Sequence, residues 1–268
     1  MNFLGLKYAR NLGFGMCFCL LFLMGCSTSR FVDERDAQHS NENPDIQRRA
    51  SIRLQLAVEY YEQGKLKLAL DEIRQVLLIS PNLSNAYNLR ALIQTDMDDT
   101  QHAEENFLHA MKIDPLNSEI MNNYARFLCQ IGREKQALPM FDRILTDRTY
   151  ATPVKAMMNA GVCSLKLKEF AKAERYFMAG FQVQPNNPLL NANLAQVYFD
   201  LGQFEKAHFY IQRVLKEEIF AADVLWLAIK IETRLGDREA VTSLSTQLRR
   251  RYPNSKEYAL FQKGAFNE

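Results

Sequence analysis

Apolar and small residues recur at helical spacing through Ile52, Leu56, Ala57 and Tyr60, stop at Gly64, and resume from Ala69 through Ile73 and Val76 to Pro81. This pattern predicts a helix, a turn and a second helix between Ala50 and Leu83. Gly64 can take the left-handed conformation that ends the first helix, and Pro81 cannot continue the second.

The pattern returns after 34 residues at Ser84 and Ser118, and, following two extra residues, at Val154, Pro188 and Ala222. Six units fit. At position 20 of each unit stands a small residue that lets two helices pack closely: Ala69, Ala103, Ala137, Ala173 and Ala207, with Val241 in the sixth. Position 8 reads Ala57, Ala91, Ala125, Gly161 and Ala195, departing at Ile229, and position 24 reads Ile73, Phe107, Phe141, Phe177 and Ile211, departing at Ser245. A helical unit of about 34 residues resembles the tetratricopeptide repeat. The resemblance implies an all-α fold, a right-handed superhelical solenoid of six helix-turn-helix repeats over 50–253 with a capping helix and tail over 254–268. Asn254 is the expected cap of that last helix with Glu257 three residues on, and Tyr258 and Phe261 would share a face. The joint Thr149–Pro153 carries the two extra residues and predicts either a softer seam or a harmless loop insertion.

Before the repeats the pattern changes. Lys7 and Arg10 precede an apolar run from Leu12 to Met24, too short to span a bilayer comfortably, so residues 1–25 read as an export signal. Leu23-Met24-Gly25-Cys26 resembles a bacterial lipobox, which implies lipidation of Cys26 and cleavage before it. Acyl chains would anchor the protein to a membrane, and Ser27 in place of Asp favours the periplasmic leaflet of the outer membrane. Residues 26–49, polar and of mixed charge, are expected to form a flexible tether.

Removing the signal leaves 31 basic against 31 acidic residues, so nothing draws this chain to nucleic acid. Cys129 and Cys163 remain after cleavage; an oxidising compartment permits a disulfide, but their places on inner helices fit small buried apolar residues better. Catalytic signatures such as a Walker loop, a dinucleotide glycine pattern or HExxH are missing from the sequence. His39, His102, His109 and His208 are scattered without partner ligands, so no metal, cofactor or small-molecule substrate is expected, and no enzyme.

Function then belongs to surfaces. In a tetratricopeptide superhelix the first helix of each repeat lines a concave groove, chiefly through positions 2, 5, 6, 9, 12 and 13. Leu54, Val58 and Tyr61 in repeat one and Met158, Val162 and Leu165 in repeat four put apolar side chains there, suited to an amphipathic helix or extended peptide, or to packing on a neighbouring repeat. Asn88, Asn122, Asn123, Asn159 and Asn193 form a series of amides able to hold a peptide backbone. Phe199 and Trp226 extend the surface, although Trp226 fits equally well as a capping residue.

Three segments carry a closer resemblance: Asn122-Asn123-Tyr124-Ala125-Arg126-Phe127-Leu128, the irregular joint ending at Pro153, and Gln247-Leu248-Arg249-Arg250-Arg251-Tyr252-Pro253-Asn254-Ser255-Lys256-Glu257-Tyr258. Together with the lipobox, tether and six repeats they are similar to the PilF/PilW family of type IV pilus biogenesis lipoproteins, pilotins of the pilus secretin. The resemblance implies a non-enzymatic protein, monomeric when unbound, that binds secretin subunits and promotes their localisation and multimerisation at the outer membrane, with twitching motility depending on it. Repeat one, next to the tether, is the expected contact. Alternatives are a tetratricopeptide lipoprotein of outer-membrane β-barrel assembly and an activator of an envelope enzyme.

Overall fold

The computed structural model describes residues 44–216 and 221–266. The export signal, Cys26 and the expected tether up to residue 43 lie outside the described residues. Among the described residues there are thirteen helices, none long and apolar enough to cross a membrane. The first helices of the six repeats are α1 (Pro44–Glu62), α3 (Ser84–Asp96), α5 (Ser118–Gln130), α7 (Pro153–Lys166), α9 (Pro188–Asp200) and α11 (Ala222–Leu235). Their partners are α2 (Leu66–Ile79), α4 (Thr100–Ile113), α6 (Glu134–Ile144), α8 (Phe170–Val183), α10 (Phe204–Leu215) and α12 (Arg238–Arg251), and α13 (Lys256–Gln262) closes the stack.

The small and large residues of the repeat do what their sizes demand. Ala57, Ala91, Ala125 and Ala195 at position 8, and Ala69, Ala103, Ala137, Ala173 and Ala207 at position 20, expose no surface. Neither do Ile73, Phe107, Phe141, Phe177 and Ile211, which fill the space these small residues leave. In repeat four Gly161 stands where repeats one, two, three and five have Ala, and a Cβ there would collide with the Phe177 ring. Burial of these side chains, at ~1.5–3 kcal/mol each, is what makes stacked repeats stable when one alone would not be.

Position 15 is a left-handed residue in every repeat. Gly64, Gly132, Gly202 and Gly236 have φ of 69°, 81°, 70° and 79°, and Asp98 and Lys168 take the same conformation at 59° and 57°. Aspartate tolerates it through its short polar side chain; lysine has no such compensation. Lys168→Gly is therefore expected to raise stability by about 0.5–1 kcal/mol, relief of strain exceeding the extra unfolded-state entropy of glycine. Urea unfolding checks this, and a midpoint at or below that of the parent would count against it.

Three details differ from the sequence expectation. The first helix begins at Pro44, inside the segment expected to be tether, with proline at its start, Asp45 in its first turn and Ala50 already buried. At the far end the α13 cap is Ser255, whose side chain accepts from the Tyr258 backbone N–H at 3.1 Å, rather than Asn254. The third concerns the joint between repeats three and four. Cys129 of α5 and Cys163 of α7 form a disulfide, Cα atoms 5.7 Å apart, instead of serving as two separate apolar fillers. Helix packing brings the two inner helices face to face, and both sulfurs are buried where they meet. The joint is fastened further: Asp147 accepts from the Ser118 hydroxyl (2.6 Å) and from the backbone N–H and hydroxyl of Thr149 (2.9 and 2.6 Å). These bonds hold the Asp147 carboxyl below its usual pKa. The inserted residues thus form a hydrogen-bonded corner.

Candidate partner-binding groove

Because position 8 and position 20 face inward, positions one turn away on each first helix face the neighbouring first helices. Across repeats one to four this produces a cavity of about 520 Å3. From α1 come Leu54, Val58, Tyr61 and Glu62; from α3, Asn85, Asn88, Leu89 and Leu92; from α5, Glu119, Asn123 and Arg126; and from α7, Lys155.

Its chemistry is divided. Leu54, Val58 and Tyr61 are half-buried, resting on the repeat-one core while leaving one side open to the cavity. Tyr61 is aimed by its hydroxyl, which donates to Asp96 at 2.7 Å. Burial, then this bond, pushes its pKa up to about 12, so the phenol stays neutral. Across from it, Glu119 accepts from Tyr150 at 2.9 Å and from the Lys155 ammonium. Burial alone would raise the Glu119 carboxyl, but bonds from Lys155 and Tyr150 outweigh it and leave the group below its ordinary pKa and charged. The α1 and α3 side of the cavity is therefore mostly apolar, Glu62 being the exception, and the α5 and α7 side carries Glu119, Arg126 and Lys155.

Five of the residues expected from the sequence, Leu54, Val58, Tyr61, Asn88 and Asn123, come together in this cavity. The asparagines are used differently from the expectation. Asn123 donates to Asn88 (3.3 Å) and Asn159 to Asn122 (3.1 Å), so the amides pair between successive repeats. Asn193 turns back on its own helix, donating to the Leu189 carbonyl at 2.7 Å. Asn122 has no exposed surface, which corrects its place among ligand contacts to the interior of the stack. Trp226 is likewise corrected: only 5% exposed, it packs on Phe266 and Phe261 of the C-terminal cap at ring separations of 5.5 and 6.5 Å.

The remaining candidates are spread along the array. Met158 and Leu165 of α7 pack on the core shared by repeats four to six, Val162 is exposed, and half-buried Phe199 lies under the Lys230 ammonium at 5.1 Å. Leu89, Leu92, Asn85, Glu119, Arg126 and Lys155 were not singled out by sequence. They occupy positions 2, 6 and 9, so the repeat frame contained the signal. Among the described residues no group of acidic, histidine or cysteine side chains could hold a metal ion.

Models of the tetratricopeptide repeat match residues 84–115, 106–138 and 164–218. The chain is 28% identical over 241 residues to the type IV pilus assembly protein PilF of Pseudomonas aeruginosa, covering 90% of this chain and 93% of that protein. Among solved structures, PilW, described as a widely conserved type IV pilus biogenesis factor, is 33% identical, with a TM-score of 0.75 over 80% of this chain and 98% of its own. The chain belongs to the PilF/PilW family. The structure of Pseudomonas aeruginosa PilF agrees, at 25% identity and a TM-score of 0.74 over 82% of this chain and 99% of that one. This PilF/PilW member is thus a tetratricopeptide repeat protein of type IV pilus biogenesis, and the six repeats with their closing helix are the family's fold.

Proposed function

We propose that this PilF/PilW protein is the pilotin of a pilus secretin. It is an outer-membrane lipoprotein anchored through Cys26 and facing the periplasm, and it promotes secretin localisation and multimerisation as a scaffold without enzymatic activity. The observation that carries the secretin contact is the apolar side of the groove. Leu54, Val58 and Tyr61 stay partly open to a cavity where Leu89 and Leu92 join them. Such a surface takes the apolar face of a helix or the side chains of an extended strand, and a few central anchors supply most of the binding energy. The lipobox supports the membrane anchor.

Replacing Leu54, Val58 and Tyr61 together with Ser tests the contact. Secretin binding should weaken roughly tenfold or more, and assembled secretin multimers should fall correspondingly, while helical content is kept. Normal multimer levels with a folded, membrane-associated variant would remove the groove from the proposal.

A further inference from the structure

A second cavity, of about 600 Å3, lies between α2, α3 and α4. Helix α3 presents Asn85, Asn88, Leu89 and Leu92 to the groove but Tyr87, Arg90 and Gln94 to this cavity, which at 3.6 residues per turn are opposite faces. The two sites therefore do not compete for side chains.

Arg90 is half-buried, and desolvation lowers the pKa of its guanidinium. Its position is fixed by a neutral group. Nε donates to Asn106 Oδ1 at 2.7 Å, Nη2 donates to the same oxygen, and Asn106 is only 6% exposed. Asn106 is held in turn by donating to Gln94 Oε1 (2.8 Å) and to the His102 carbonyl (2.7 Å). The Tyr87 ring lies under the guanidinium at 5.0 Å and contacts the His109 ring at 4.1 Å. The other charged groups have their own partners. Arg74 pairs with Asp71 at 2.9 Å, His102 with Asp99 at 2.9 Å, and Glu105, which also lines the cavity, accepts from Gln101 at 3.2 Å. Arg90 is left with an amide, a ring and no bonded carboxylate.

Arg213 shows how the same side chain looks when it is purely structural. Its Nε donates to Asn191 (2.9 Å) and Nη2 to the Pro185 carbonyl and Asn186 (3.0 Å each), two aromatic rings flank it, and the adjoining cavity is about 150 Å3. Arg90 instead has a single acceptor, Asn106 Oδ1, where Arg213 has three, and it stands beside a cavity four times as large. Withdrawing a cation from water without a counterion is costly, and a planar fork held rigidly by an amide matches two oxygens of one acid group.

We propose that this cavity binds an oxyanion, a carboxylate or phosphate group of a small organic ligand, with Arg90 as its principal donor and Leu70, Tyr87 and His109 against the organic part. The full chain in detergent is titrated with succinate and, separately, with inorganic phosphate, following heat and the ring resonances of His109. At least one anion should bind and move the His109 signals; which one does so distinguishes a carboxylate from a phosphate ligand. Arg90→Gln should weaken binding about ten-fold or more, as loss of a charge-assisted bond does, whereas Arg213→Gln should leave it unchanged. Should Arg90→Gln lose its fold, Arg90→Lys, which keeps the charge without the fork, should bind several-fold less tightly than the parent. Absence of any response to either anion up to about 50 mM, or binding unchanged by loss of Arg90, overturns the proposal.

Discussion

Opening the Cys129–Cys163 bridge is expected to destabilise the repeat array by about 3–4 kcal/mol. The two cysteines are separated by 34 residues, so the bond removes from the unfolded chain the freedom of a loop one repeat long. In an array of this kind stability is the sum of repeat terms and nearest-neighbour terms, and the bridge ties repeat three to repeat four. The loss should therefore concentrate at that junction. Amide hydrogens of α5 to α8 should exchange faster in Cys129→Ala/Cys163→Ala than in the parent, while those of α1 and α2 change little. Urea unfolding with and without reductant measures the total, and coincident midpoints would mean that the bond contributes no stability.

The repeat frame was legible because it is written in size. A helix pair approaching closely needs a small residue at position 8 and position 20, and its partner space needs a large one at position 24, so Ala57, Ala69 and Ile73 repeat through the chain as a pattern of volumes. Glycine at position 15 marked the turns for the same kind of reason, with Asp98 and Lys168 as the places where the backbone keeps the conformation without the residue suited to it. The groove was legible by position and only half legible by residue type. Apolar side chains at Leu54, Val58 and Tyr61 drew notice, whereas Glu119, Arg126 and Lys155 at equivalent positions resemble ordinary surface charge until the helices are placed together. What one sequence cannot express is the offset between neighbouring first helices. The two inserted residues put Cys129 at position 12 and Cys163 at position 10, so no shared repeat position advertised their meeting. The same limit applies to Asn122, whose burial depends on its placement against the Asn159 amide of the next repeat.

Trp226→Ala is expected to cost about 3–5 kcal/mol, the range for emptying the space of a large aromatic side chain. The ring is 5% exposed and lies between α11 and the C-terminal cap, meeting Phe266 at 5.5 Å and Phe261 at 6.5 Å, while Phe261 stacks on Tyr258. Helix α13 spans only Lys256–Gln262, too short to persist without docking, so its helicity depends on this cluster. Removing the indole should release α13 first: hydrogen exchange across Tyr258 to Gln262 should lose its protection at once, and the unfolding midpoint should fall with it. A groove residue would behave differently, reducing partner binding at temperatures where its variant is still folded. The closing helix and the apolar side of the groove lie at opposite ends of the array, and changes at sites without shared partners combine additively. Under the proposed pilotin role, Trp226→Ala should therefore lower stability without altering multimerisation below its melting range, whereas replacement of Leu54, Val58 and Tyr61 should lower multimerisation well below the melting range of the variant. Unchanged stability of Trp226→Ala accompanied by loss of multimers would return this residue to the binding surface.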